Sequence, residues 1–169
     1  MSSFSPFVNS STCSSGSGFK RLRVCTANVN KLANNIATLH SMASCHKIDI
    51  LAITETWLLP DVADATVFIP GFHSIARTDT TGVSPKHGVG IFVNKDIPFV
   101  SIDCTCPNVH IIYIDVLKCF VIVVYRPPSN SNAQNVALVN FLTTFCPNKE
   151  IILLGDFNLP RVDWSQNSS

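Results

Sequence analysis

Charge is scarce in this chain. Only 14% of its residues are charged, and 12 basic against 11 acidic side chains leave a formal net charge of +1. That near-neutrality excludes a polybasic, histone-like grip on nucleic acid, although an acidic site offset by a basic rim stays compatible with a nuclease. Long hydrophobic runs are lacking too. No stretch reaches the ~20 apolar residues that a membrane-crossing helix needs, so no membrane partner is expected. Residues 1–18 are rich in Ser, with Gly and Asn, and lack the basic start and apolar middle of a secretory signal. The seven cysteines, at 13, 25, 45, 104, 106, 119 and 146, form an odd set without metal-ligand spacing. Cys104 and Cys106 are the only close pair, and no His or Cys cluster joins them, which speaks against zinc. Several cysteines fall inside apolar strand patterns, as buried free thiols do in a reducing compartment. The expectation is an intracellular protein, nuclear or cytoplasmic, and not a secreted one.

What is present suits a core. Hydrophobic residues make up 46% of 169, enough for one domain and far from a disordered composition. Residues 1–19 read as a disordered Ser-rich tail and 20–169 as the folded domain. Lys20 to Arg23 is a basic cluster, either a solvated strand start or a localisation signal. Between Arg21 and Asn30, Leu22, Val24, Thr26 and Asn28 share one face, which is strand periodicity. Leu32, Ile36, Leu39 and Ala43 recur at helical spacing and predict an amphipathic helix to about residue 45. A buried strand follows over 48–53, giving a βαβ-like opening. Short strands are expected near 66–69 and 72–76, then a long loop, then a strand over 88–94. Strand signals at 97–103, 109–116 and 119–125 have short connections and predict an antiparallel meander. Pro127 and Pro128 end it, since proline cannot extend a ladder. A second helix carries Ala137, Leu138, Phe141, Leu142 and Phe145 on its apolar face, with caps offered at 130–132. No internal repeat is visible.

The densest signal is Glu150 to Trp164. Ile151 to Leu154 form an uninterrupted apolar run, read as a strand buried on both faces, and Gly155, Asp156, Phe157 and Asn158 follow. A carboxylate at the lip of an apolar core needs a partner, a hydrogen bond or a metal. Gly-Asp and Asn-Leu-Pro are also ordinary turn chemistry. Asn28, Glu55, Tyr125, Asp156 and Asn158 all fall at or just past predicted strand ends. If those ends share an edge, the five converge on a phosphate-sized polar site. Glu55 is a hard oxygen ligand suited to Mg²⁺. Asp156 can orient or deprotonate a water, the two asparagines can hold oxygens without adding charge, and the Tyr125 hydroxyl can donate to a phosphate oxygen. Together these are the parts of magnesium-assisted phosphodiester hydrolysis. Each also has a plainer reading: Glu55 as an exposed loop acid, Tyr125 as a rim residue of the core, Asn28 as a turn former.

Asn28 after the first strand, Ile53-Thr54-Glu55-Thr56-Trp57-Leu58, Tyr125-Arg126-Pro127-Pro128 and Gly155-Asp156-Phe157-Asn158 resemble, in order, the endonuclease/exonuclease/phosphatase (DNase I-like) family. The wording is most similar to endonuclease domains of non-LTR, LINE-type retrotransposons. The resemblance covers about residues 21–164. It implies a four-layered α/β sandwich with mainly antiparallel sheets, a Mg²⁺ (or Mn²⁺) cofactor, duplex DNA as target and a reverse transcriptase in the parent polyprotein. It also implies roles: Glu55 as main metal ligand assisted by Asn28, Tyr125 on the phosphate, Asp156 and Asn158 on the nucleophile and scissile phosphate. Arg77-Thr78-Asp79-Thr80 resembles the family's Arg-x-Asp-Arg loop without its second arginine, which puts a DNA-backbone contact there in doubt. The family's closing Ser-Asp-His motif has no counterpart, because the histidines stand at 40, 46, 73, 87 and 110. The expectation is a domain incomplete at its C-terminus, impaired in activity, with a sheet edge and an apolar face uncovered. Two other readings accompany it. One is a phosphoesterase of the same fold acting on abasic DNA, RNA or phosphoinositides; the other is a non-catalytic remnant or binding module.

Overall fold

Apolar side chains on alternate residues of successive strands build three separate cores, and the strands between them form two stacked sheets. A computed structural model describes residues 7–9, 22–79 and 86–159. In chain order the strands are β1 (Phe7–Asn9), β2 (Val24–Asn28), β3 (Ile50–Thr54), β4 (Ala76–Thr78), β5 (Val89–Val93), β6 (Val100–Ile102), β7 (Val109–Ile114), β8 (Cys119–Tyr125) and β9 (Glu150–Asp156). The helices are α1 (Ile36–His46) and α2 (Asn132–Phe145). One sheet has the order β1-β2-β3-β5-β4 and the other β6-β7-β8-β9. Only β2–β3 and β8–β9 pair in parallel, among the described residues; the other ladders are antiparallel.

The period of two decides the layering. Ile50 and Ala52 of β3, Ile91 of β5, Ile112 of β7, and Val121 and Val123 of β8 meet between the sheets. The alternate residues Leu51, Ile53 and Phe92 point outward and are covered by Leu39 and Ala43 of α1. On the far side, Ile111, Ile122 and Val124 are covered by Leu138, Phe141 and Phe145 of α2. Helix, sheet, sheet, helix is the four-layered α/β sandwich that the family resemblance implied. Burying each such side chain stabilises the fold by roughly 1.5–3 kcal/mol, so the three cores carry it.

Local signals place the elements. Ser131 caps α2 by accepting from the Gln134 backbone N–H, and the Gln134 side chain accepts from Ser131 N–H in return. α1 is preceded by a 3-10 turn over Leu32–Asn34 and closes with Lys47 in the left-handed region.

Three expectations are corrected. Within the expected tail, Phe7–Asn9 pair antiparallel with β2, because β2 would otherwise be a bare edge; the rest of residues 1–19 lies outside the described residues. The strands expected near 66–69 and 72–76 are instead a 3-10 turn at Asp64–Val67 and the later β4. There Val67, Ile69, Phe72 and Ile75 all enter the α1-side core, so the segment follows no two-residue alternation. The strand expected over 88–94 is β5, beside β3 in the first sheet, and the antiparallel meander expected over 97–125 is formed by β6, β7 and β8. Finally, β9 is not buried on both faces. Ile152 and Leu154 pack between the sheets, but Leu153 is 42% exposed, since α2 covers only the Ile151 end of the outer face.

Candidate active site at the end of the sandwich

The same alternation that fills the space between the sheets delivers the polar residues to its end. Asn28 continues the row of Val24 and Thr26 on β2. Tyr125 continues Val121 and Val123 on β8, and Asp156 continues Ile152 and Leu154 on β9. Parallel register aligns Tyr125 with Asp156 and Asn28 with Thr54, the residue before Glu55. All three strands run out at one edge, so their last inward-facing side chains meet.

The Asn28 side-chain amide nitrogen donates to Glu55 Oε1 at 2.7 Å and to Asp156 Oδ2 at 3.2 Å. Asn28 thereby reaches a carboxylate 128 positions away in sequence. Asn28 Oδ1 is turned the other way and accepts from Asn30 N–H at 3.1 Å. The Tyr125 hydroxyl donates to the same Glu55 Oε1 at 2.9 Å. Burial, the bond to Glu55 and the charges of Glu55 and Asp156 all push the Tyr125 phenol far above its usual range, so it stays a neutral donor. Asn158 does not face this group with its amide hydrogens. Its side chain donates to the Arg126 carbonyl at 3.0 Å, and its backbone N–H donates to Asp156 Oδ1 at 3.1 Å.

Glu55 sits on a strained turn. Glu55 and Trp57 have φ of 56° and 54°, a left-handed conformation that costs non-glycine residues on the order of 1–3 kcal/mol each. Four backbone bonds hold it: Lys31 N–H to the Glu55 carbonyl, Leu32 N–H to that of Thr56, Thr56 N–H to Gly88 and Trp57 N–H to His87. Gly88 has a φ of 91°, and a Cβ there would lie 2.3 Å from Thr56 Oγ1. Only glycine allows the approach. His87, next to it, sets its ring 5.7 Å from that of Tyr125 in an edge contact.

Four of the five residues singled out from the sequence therefore touch in one hydrogen-bonded group, and the fifth, Asn158, braces Asp156 from behind. His87 and Arg126 were missed as site residues. Arg126 lay inside a quoted motif, but nothing in the sequence says where its guanidinium reaches. Arg77 is not available to a DNA backbone. It lies 3.0 Å from Asp64 and 3.3 Å from Asp79, and it donates to the Val62 carbonyl at 2.6 Å. Burial raises the Asp79 carboxyl pKa against the lowering pull of Arg77. Among the described residues no three His, Cys, Asp or Glu side chains cluster as a metal centre; the site offers two carboxylates.

Two mainly antiparallel sheets, faced by helices and ending in a paired-carboxylate site, define an α/β-sandwich protein with an oxygen-rich site at one end of its strands. The endonuclease/exonuclease/phosphatase family matches residues 25–167, and the chain belongs to that family. Solved structures share the fold. The 3′ phosphatase NExo from Neisseria, bound to product DNA hairpin, superposes with a TM-score of 0.62 at 22% identity, over 83% of this chain and 59% of its own. An AP endonuclease from Archaeoglobus fulgidus gives 0.59 at 20%, over 81% and 57%. Humanised D. rerio TDP2 gives 0.56 at 16%, over 83% and 63%. The chain thus spans about three-fifths of the length of these structures. No curated protein matches it in sequence.

Proposed function

We propose that the protein is a divalent-metal-dependent phosphodiesterase that nicks DNA. The observation that carries this reading is the hold of one amide nitrogen, on Asn28, upon both Glu55 and Asp156. Two carboxylates held this close repel one another unless donors or a cation offset them. Both are hard oxygen donors, and among the described residues no His or Cys joins them in a cluster of three or more potential metal ligands. That set fits Mg²⁺ or Mn²⁺, which take one or two carboxylates and keep several waters. Glu55 would hold the ion, with Asn28 orienting its carboxylate. When bound, the ion supplies positive charge for the phosphate oxygens.

The chain's own residues supply the rest. Asp156, braced on both oxygens, orients the attacking water and takes its proton. Tyr125, a neutral donor, turns its hydroxyl to charge developing on the phosphate. Asn158 fixes the backbone beside Asp156.

The finer assignment is an endonuclease of a LINE-like retrotransposon, acting inside the cell on duplex target DNA beside a reverse transcriptase of the same polyprotein. It is supported by the wording of Glu55-Thr56-Trp57-Leu58 and Tyr125-Arg126-Pro127-Pro128. The test is conversion of supercoiled plasmid to open circles with Mg²⁺, assayed with this chain and with any in-frame continuation of its gene. Glu55→Ala and Asp156→Ala should each lower nicking by about 100-fold or more. Full activity in either variant would remove the site assignment. Faster turnover of inositol phosphates than of plasmid would move the substrate to another branch of the family.

A further inference from the structure

We propose that Arg126 is a positioning residue: its guanidinium ties the loop carrying Asp156 and Asn158 to α2, and so holds Asp156 in its working orientation. The consequence for turnover rests on the phosphodiesterase reading above; the tie itself does not.

The ladder between β8 and β9 ends at Tyr125 and Asp156. Arg126 N–H still donates to the Asp156 carbonyl, at 2.8 Å. Beyond that point the chain leaves the β8–β9 ladder, and the next two carbonyls are those of Phe157 and Asn158. Both are taken by one nitrogen of Arg126: Nη1 donates to Asn158 O at 2.9 Å and to Phe157 O at 3.3 Å. The Nε–H of the same side chain donates to Asn135 Oδ1, early in α2, at 2.9 Å. The planar, forked guanidinium thus joins the loop after β9 to the start of α2. Asn158 is at a φ of 45°, in the left-handed region that asparagine adopts more readily than most residues. It returns the contact by donating its side-chain amide to the Arg126 carbonyl.

Asp156 is therefore gripped from two sides. Asn28, from the first sheet, holds Oδ2, and the backbone N–H of Asn158, fixed by Arg126, holds Oδ1. Glu55 and Tyr125 do not depend on this tie. Losing it should loosen the residue assigned to the water while leaving the carboxylate assigned to the ion in place. A lysine keeps the charge but has one donor nitrogen and cannot span Asn135 and two carbonyls.

The test compares wild type with Arg126→Lys, Arg126→Ala and Asn135→Ala. Arg126→Lys should lower kcat for plasmid nicking by about 10- to 100-fold with KM within about twofold, as small misplacements at a reacting centre do. Added guanidinium ion should restore part of the activity of Arg126→Ala and none of that of Asp156→Ala. Hydrogen exchange of the Asn158 side-chain amide, followed by NMR, provides a readout free of catalysis. It should be slow in wild type, fast in Arg126→Lys and intermediate in Asn135→Ala. If wild type cleaves no phosphodiester, the functional reading fails and exchange alone decides the tie. Wild-type exchange in a folded Arg126→Lys variant, or an unchanged kcat, overturns the proposal.

Discussion

Asn28 is the residue on which the site turns, because it reaches a carboxylate from each sheet. A prediction at this scale concerns its neighbour. Tyr125→Phe keeps the ring against His87 but removes the donor to Glu55, so plasmid nicking should fall about 10- to 100-fold. Thermal unfolding should show the fold retained. A second prediction concerns His110, whose five-membered ring is buried at the join of the two sheets. Thr78 Oγ1 donates its one proton to the Val109 carbonyl at 2.9 Å, so it must accept from His110 Nδ1, 3.0 Å away. Nε2 is turned to Ser101 Oγ at 3.5 Å. Burial pushes its pKa from the usual 6.5 down to about 4. Unfolded, it takes a proton as pH falls below about 6.5; folded, it resists until about 4. Its contribution is therefore complete above about 6.5, declines as pH falls, and is gone below about 4, a total on the order of 3 kcal/mol. Urea unfolding at pH 7.5 and 4.5 should show this decline, and His110→Gln should flatten it. The residues of the site were legible as types at strand ends. The tautomer of His110 was not, since it depends on a threonine 32 positions away.

At the scale of elements, β9 carries the most consequence. Gly155 has a φ of 138°, and a Cβ there would lie 1.9 Å from the Val124 carbonyl oxygen of β8. Gly155→Ala should therefore force the end of β9 away from β8 and destabilise the protein by about 3 kcal/mol or more in urea unfolding, with loss of activity. The cap of α2 is a milder case: Ser131→Ala removes one half of a reciprocal pair and should cost about 1 kcal/mol. Periodicity and short apolar runs revealed β2, β3, β5, β6, β7, β8, β9 and both helices. It failed at 64–78, where Val67, Ile69, Phe72 and Ile75 all face one core. A loop pinned by Arg77 onto Asp64 and the Val62 carbonyl has no period to read.

Across the whole molecule, the core between the sheets and the site are one continuous surface, while the α1-side core lies behind it. Val123→Ala, one inward-facing step from Tyr125, should lower both stability and nicking by the folded protein. Leu39→Ala on α1 should cost a comparable or larger 2–5 kcal/mol and leave the activity of the folded fraction near wild type. Equal activity losses in the two variants would disconnect the site from the core between the sheets. The sequence by itself determined which residues could do chemistry and that they stand at strand ends, because alternation and turn residues are local properties of the chain. It also carried enough ordered motifs to indicate the family. Only the tertiary structure decided that Asn28, Glu55, Tyr125 and Asp156 share hydrogen bonds, that Asn158 braces rather than faces the group, and that Arg126 joins it to α2. Those contacts follow from parallel register between distant strands and from stacking of the sheets, and neither is encoded in the spacing of neighbours along the chain.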